Sequence, residues 1–418
     1  MSADDVVSSV LAKATDRQVC ILDSCGLEHK GSHLLIAGVD PVEQASHDDP
    51  DLALGALDSN IEGDAAAIFT LSYDLGRILQ NVPTRHGLSF EPLLYLARFK
   101  TLIVHDYQTR RTVLCGEGGS PEWLLDSSKK FSGTAAASAS QPVSNFSRDE
   151  YVRAVEVIKE QIRSGNTYQT NLTRQITVES SESPAAIFRR LRRDHPAPFS
   201  AFIQRPDSTV ISASPERFFR LEGGIISASP IKGTRSRGAT QTDDERRRSE
   251  LLSSDKDRAE NTMIVDLLRN DLGRVCEFGS VEVESLCEIE ELPSLFHMVS
   301  TIRGRLKQST KFSQILRALF PCGSITGAPK ISTMRLIDEI EPTGRGLSMG
   351  AIGCYIPASF GIGESIDVSV AIRTMVIRDG TATFNVGGGI VIDSDPEKEW
   401  DETVVKSKAL LNSLGIEV

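Results

Sequence analysis

Apolar residues recur at helical spacing after residue 147: Tyr151, Val155, Ile158 and Ile162 share one face, Ser147-Arg-Asp-Glu150 forms a capping box ahead of them, and Gly165 ends the run. A strand-like stretch follows at 167–173. Met263, Ile264, Leu267 and Leu268 mark a helix around Asp257 and Glu260. A last helix is predicted from Asp395 as N-cap, with Pro396 in its first turn and Gly415 as its stop. Before residue 131, the runs 19–22, 34–39, 66–72 and 102–104 read as strands bounded by turn residues, with helices between some of them. Residues 384–392 read as a strand running through Gly387, Gly388 and Gly389. Short β-rich runs alternate with helices to the end without a solenoid repeat, which predicts a mixed α/β or α+β protein.

The stretch 131–146 is small and polar and offers nothing to pack. It reads as a linker or surface crossing between an N-terminal region, 1–130, and a catalytic region, 147–418. A chain of 418 residues can bury about three quarters of its unfolded surface, enough for one large domain or two ordinary ones. The 57 acidic and 46 basic residues give a net charge of −11. That balance argues against nucleic acid or an anionic membrane as partner, so an anionic substrate must meet locally placed cations. Seven cysteines, odd in number and without a Cys-x-x-Cys pair, suit a reducing compartment without disulfides or structural zinc. The N-terminus lacks the order of a signal peptide, and no apolar run reaches the ~18 residues that spanning a bilayer needs. The expectation is a soluble, cytoplasmic protein. Neither a GxGxxG nucleotide loop nor a Walker loop is present.

Two carboxylate pairs carry the clearest candidate chemistry. Asp257 and Glu260 lie three apart and share a helix face, and Glu399, Glu402 and Lys406 do the same on the last helix. Taken singly, acids in a first turn serve the helix dipole. Two facing pairs, however, make an oxygen-rich site suited to Mg2+, which keeps several waters and bridges to a substrate anion, with Lys406 one turn on to hold a carboxylate. The triple-glycine strand lets a ligand approach backbone amides. Residues 320–330 read as a loop opening a helix with Pro329 in its first turn, its amides free for an anion, or as a plain turn and cap. Arg373 sits in a β-type run, pointing to solvent or offering its fork to a carboxylate. His297, among apolar residues, reads alone as a core histidine. Lys232, in the loop Pro230-Ile-Lys-Gly-Thr-Arg-Ser-Arg-Gly238, reads alone as a solvated charge.

Company changes the reading of Lys232. Ser214-Pro-Glu-Arg-Phe218 precedes it, Arg258-Ala-Glu-Asn261 follows, and the Ser324, Arg373 and triple-glycine blocks come after in order. Together they resemble the chorismate-utilising enzymes from about residue 147 to the C-terminus, with a looser echo in Tyr73-Asp-Leu-Gly-Arg77. The resemblance implies an α/β (α+β) fold of two large antiparallel sheets packed as a sandwich, with helices outside and chorismate between. It implies Mg2+ on Glu260 and Glu402, supported through water by Asp257 and Glu399. Arg373, Lys406 and the Gly388 and Gly389 amides would hold the substrate carboxylates. Gln169, Thr234 and Ser324 would complete the substrate contacts, with His297 a catalytic residue against the ring.

Two positions separate branches of that family. Gln169 stands where isochorismate and salicylate synthases carry a water-activating lysine, and a glutamine cannot be that base. Lys232 stands where anthranilate synthases have alanine, and looks like the nucleophile of the aminodeoxychorismate synthase branch. A neutral Lys232, favoured by burial and by nearby Arg235 or Arg237, would add at C2 of chorismate, shift the diene and expel the C4 hydroxyl, which Glu216 protonates. Ammonia would then add at C4 and expel the lysine, and magnesium on the ring carboxylate would stabilise the shifted electrons. The implied product is 4-amino-4-deoxychorismate, towards para-aminobenzoate and folate. No Cys-His-Glu glutaminase unit is visible, so ammonia is expected from a separate glutaminase subunit. Gly353-Cys354-Tyr355 departs from the family's Gly-Tyr. Ile21-Leu-Asp-Ser24 faintly resembles a tryptophan-binding segment of relatives, or is a strand entering a turn. The rival readings are anthranilate synthase component I, which lacks only Lys232, and a non-catalytic chorismate-binding regulator.

Overall fold

Strand Ala66–Leu71 is buried along its whole length, and its alternation shows how the chain is layered. Ala67, Phe69 and Leu71 point into one apolar core, while Ala66 and Ile68 point into another. The same division recurs in Ala351–Ile356, where Ala351 and Tyr355 face the first core and Ile352, Cys354 and Ile356 the second. A strand with apolar residues on both sides belongs in the middle of a multilayered protein.

A computed structural model describes residues 1–87, 90–118, 139–292 and 295–417. Among the described residues two antiparallel sheets form, of eleven and ten strands. In the larger, Gly327–Ala328, Gln169–Glu179, Thr381–Ile390, Thr374–Arg378, Thr209–Ser214, Phe199–Gln204 and Val19–Asp23 lie side by side in that order. In the smaller, Ile231–Ser236, Leu295–Arg305, Ile225–Ala228, Arg217–Glu222, Ser365–Val370, Ala351–Ile356 and Ala66–Leu71 do so. The two pack face to face through Cys20, Ala201, Ile203 and Val210 of one and Ile68, Ala97 and Ile352 of the other.

Helices cover the outer faces. Pro50–Ile61, Asp255–Val275 and Phe312–Leu319 pack on the smaller sheet, while Ala3–Leu11, Pro184–Asp194 and Pro396–Ser413 pack on the larger. The fold is the two-sheet sandwich with outer helices that the resemblance implied. Each sheet uses strands from both sides of residue 131: Cys20 pairs with Ile203, and Phe69 with Gly353. Residues 131–138 lie outside the described residues, but Val143–Ser144 runs antiparallel along Gln169–Glu179.

Local signals set the element ends. Ser147 and Glu150 close the capping box of Arg148–Arg163, and Asp395 caps Pro396–Ser413 through the amides of Glu397 and Lys398. Val19–Asp23 is a strand that runs into a turn. The strand expected at 167–173 begins at Gln169 and continues to Glu179, because Thr381–Ile390 pairs with it from Thr170 to Glu179 and Ala328 with Gln169. No helix among the described residues is long and apolar enough to cross a membrane.

Candidate active site

A cavity of about 630 Å3 lies between the edge of the smaller sheet, the glycine strand of the larger, and the two acid-bearing helices. Of the expected site residues, Lys232, Glu216, His297, Thr234, Ser324, Arg373, Gly388, Gly389, Lys406, Glu260, Glu402, Asp257 and Glu399 line it. Gln169 stands just behind, buried against the Gly389 backbone.

Lys232 lies on the edge strand Ile231–Ser236 and not, as its sequence context suggested, in a loop. Pairing with Leu295–Arg305 slips between Ile231 and Thr234, so Lys232 and Gly233 form a bulge, a device that re-aims a side chain next to a site. Gly233 takes φ +84° and comes so close to Asp255–Val275 that a Cβ there would sit 2.9 Å from the Asp257 carboxyl carbon. Only glycine suits that position. Lys232 makes no hydrogen bond or ion pair among the described residues, and its charge acts on both Glu216 and Glu260.

Arg235 and Arg237 do not assist it as expected. Arg235 pairs with Asp257 at 2.9 Å. Arg237 pairs with Asp244 and lies over the Phe296 ring. Both cations are thereby compensated by a carboxylate.

Glu216 is buried and its Oε1 has no hydrogen-bond partner among the described residues. Burial pushes its pKa above the ordinary carboxylate range, opposed by a hydrogen bond from Ser324 and by Lys232. Ser324 sits in the short turn Gly323–Ile325, itself buried. His297 is buried with Nδ1 unpartnered among the described residues, and burial, helped by His29 and Arg373, pushes its pKa down to about 4. At neutral pH it is an uncharged imidazole.

Arg373 departs from its predicted place in a strand. It lies between Ser365–Val370 and Thr374–Arg378 at φ +47°, a left-handed conformation that costs an ordinary residue about 1–2 kcal/mol. Burial lowers its pKa. A strained, half-buried cation on a cavity wall is placed for an anion. Pro329 is the N-cap of Lys330–Ile340, one position ahead of the expected first turn.

The four carboxylates come from two helices far apart in sequence. Glu399 accepts from Ser394 at 2.6 Å, and Glu402 pairs with Lys406 at 2.6 Å. Lys406 also donates to the Gly387 carbonyl at 2.8 Å. A Cβ on Gly388 would lie 3.2 Å from Glu399 Oε2 and 3.6 Å from both Glu402 Oε1 and Lys406 Nζ, so the glycine strand runs directly under the charged groups. Burial pushes up Glu260, against Lys232 and Lys256, and likewise Glu399, against Ser394 and with Glu402 adding to the rise.

Lys256 was not anticipated. It lines the cavity one helical turn before Glu260, 4.0 Å away, and the i, i+4 spacing was visible in Lys256-Asp-Arg-Ala-Glu260. Asn385, also unanticipated, lines the wall and donates to Thr173 Oγ1 at 3.2 Å. Tyr355 is away from the cavity, its hydroxyl donating to the Gly63 carbonyl at 3.3 Å.

Among the described residues no three acids, histidines or cysteines gather closely enough to form a metal cluster on their own. The donor set still fits magnesium, which takes one or two carboxylates and fills its remaining positions with water and substrate oxygen. Glu399 is buried and Glu260 half-buried, both carboxylates have raised pKa values, and a hard cation would relieve them. Glu260 and Glu402 would hold it.

A sandwich enclosing a cavity with cations for carboxylates and paired acids defines the class, and the comparisons agree. The family described as chorismate binding enzyme matches residues 22–412: this chain belongs to it. A relative from Klebsiella aerogenes, aminodeoxychorismate synthase component 1, is 39% identical over 357 residues, covering 84% of this chain and 77% of that protein. Anthranilate synthase component 1 of Haloarcula marismortui is 35% identical over 382 residues, covering 85% and 77%. The crystal structure of anthranilate synthase component I from Streptococcus pneumoniae TIGR4 superposes with a TM-score of 0.76 at 25% identity, covering 90% of this chain and 92% of that one. Identity alone separates these branches by only a few per cent, so the decision falls to side chains in the cavity.

Proposed function

We propose that this chain is an aminodeoxychorismate synthase component I, converting chorismate and ammonia into 4-amino-4-deoxychorismate and water. The observation that carries the reading is Lys232: a primary amine on a bulge, without a hydrogen bond or ion pair among the described residues, in one cavity with Glu216 and Glu260 and acting on both.

In the first half-reaction the Lys232 nitrogen forms a bond to C2, and both ring double bonds shift. The C4–O bond breaks, and Glu216 gives its proton to the departing oxygen. A raised pKa suits Glu216 to this task, because a carboxyl that stays protonated nearer neutrality can act as a proton donor there. In the second, ammonia forms the bond to C4, the double bonds shift back, and the C2–N bond to Lys232 breaks. Arg373 and Lys406 would each take a carboxylate, Lys406 exchanging its bond to Glu402 for the ligand. Thr234 completes the substrate contacts, Gln169 backs the Gly389 wall, and neutral His297 would lie against the ring. Magnesium, held by Glu260 and Glu402 with Asp257 and Glu399 behind them, would supply compensation for the ring carboxylate as the electrons shift. Ammonia would come from a separate glutaminase subunit, and the product would lead to para-aminobenzoate and folate in the cytoplasm.

The relatives named anthranilate synthase supply the rival reading, which predicts a C2-aminated aromatic product and pyruvate. The test is the product from chorismate, magnesium and ammonium, together with mass spectrometry of the enzyme given chorismate without ammonia. The expected results are 4-amino-4-deoxychorismate and an adduct on Lys232, with Lys232→Ala reduced to the rate of direct ammonia attack. Anthranilate as product, or full activity in Lys232→Ala, overturns the reading.

A further inference from the structure

Behind the cavity wall, Glu341 at the end of Lys330–Ile340 and Arg345 four residues later form an ion pair, each side chain only 2% exposed. Neither lines the cavity. Arg345 Nε and Nη2 donate to the two Glu341 oxygens at 2.9 and 2.7 Å. The same guanidinium donates to the Asn171 carbonyl at 2.6 Å and the Ile325 carbonyl at 2.9 Å. Glu341 Oε1 accepts from the Thr173 amide at 2.7 Å and from its hydroxyl at 2.9 Å. Arg345 also lies over the Tyr73 ring, 4.7 Å from its centroid.

These contacts converge on two walls of the site. Asn171 and Thr173 pair with Gly389 and Gly387, so the pair grips the strand that backs the glycine wall. Ile325 closes the turn carrying Ser324, the partner of Glu216. A buried ion pair is a poor way to gain stability, since apolar replacements of similar volume are often as good or better. What it offers is direction: a planar fork with several fixed donors joins the Asn171 and Ile325 carbonyls to the Glu341 carboxylate.

We propose that Arg345 and Glu341 are positioning residues that set the distance between the glycine wall and the Ser324 turn, and so between bound substrate and Glu216. The proposal rests on the chorismate-converting reading of the cavity, whichever product forms.

The test follows the consumption of chorismate by chromatography, which registers conversion to either product, so a wrong product assignment shows in the wild type and not in this comparison. Arg345→Lys keeps the charge but cannot reach Glu341, Asn171 and Ile325 together. Per folded molecule, its kcat is expected to fall by ten- to about a hundredfold, the effect of a shift of about 1 Å in a catalytic group. Phe69→Leu, a change in the remote core, serves as a control of comparable loss in Tm with unchanged kinetics. Should Arg345→Lys not fold, Arg345→Met/Glu341→Leu removes both charges at similar volume, and the same fall in kcat is expected. Kinetics equal to those of Phe69→Leu in the variant that folds would overturn the proposal and leave the pair a purely structural one.

Discussion

Gly389→Ala is the substitution whose cost can be worked most directly from the coordinates. Gly389 has an ordinary backbone, so alanine brings no conformational penalty. The added methyl would instead meet Gln169, whose Cδ lies 3.2 Å and Cγ 3.6 Å from the built Cβ, with Nε2 nearer still. Gln169 is 1% exposed and cannot swing into solvent. Either its amide leaves its seat or the glycine strand moves toward the substrate. Overpacking of this kind costs about 1–3 kcal/mol, and a strand shift of about 1 Å at the amide proposed to bind substrate would lower kcat by up to about a hundredfold. Gln169→Ala should lose about 1 kcal/mol by leaving a void, with little polar penalty because its Oε1 has no partner. Combining the two should relieve the overlap, so the double variant recovers about 1–2 kcal/mol relative to the sum of the singles. Urea unfolding of the four proteins gives the cycle, and chorismate consumption gives the kinetic counterpart. Additivity within about 0.5 kcal/mol would refute the reasoning, since it would mean that the methyl and the amide do not compete for one space.

Three other outcomes follow from the site. If Glu216 donates its proton, kcat falls as pH rises through its raised pKa, the direction set by burial against Ser324 and Lys232; Glu216→Gln should abolish that limb and cost about 10²–10⁴ in rate, and a retained limb assigns it to another group. Glu260→Gln and Glu402→Gln should each abolish turnover and weaken magnesium binding measured by calorimetry with chorismate present, while Glu399→Gln, whose carboxylate is already held by Ser394, should be milder; unchanged magnesium affinity in both severe variants removes them as ligands. The isolated chain should use ammonium in excess but not glutamine until a glutaminase subunit is added, so glutamate release by the chain alone would contradict the expected partner.

The site was legible where chemistry is written into local spacing. Asp257 and Glu260, or Glu399 and Glu402, share a face because a helix repeats every 3.6 residues, and Asp395-Pro396 announces the helix that presents the second pair. What placed the two helices across one cavity was the order of the blocks, since no local pattern relates residue 260 to residue 402. The bulge at Lys232 was hidden because strand register belongs to a pair of strands, and Leu295–Arg305 lies far down the chain. The left-handed Arg373 was hidden because three of its neighbours, Val370, Ile372 and Thr374, are good strand formers. The partners of Arg235 and Arg237 depend on which acids folding brings near, and that information is tertiary.

The interleaving of the sheets bears on how this protein is made. Ala66–Leu71 leaves the ribosome early, flanked correctly on one side by Leu94–Phe99, while its other edge waits for Ala351–Ile356. At synthesis rates of about 5–20 residues per second, that partner follows on the order of fifteen seconds to a minute later. Val19–Asp23 similarly waits for Phe199–Gln204. Throughout that interval an apolar strand with an open edge is a template for pairing with another nascent chain. Expression is therefore expected to be limited by chaperone supply and by temperature before it is limited by the stability of the finished fold, and slower elongation lengthens the exposure.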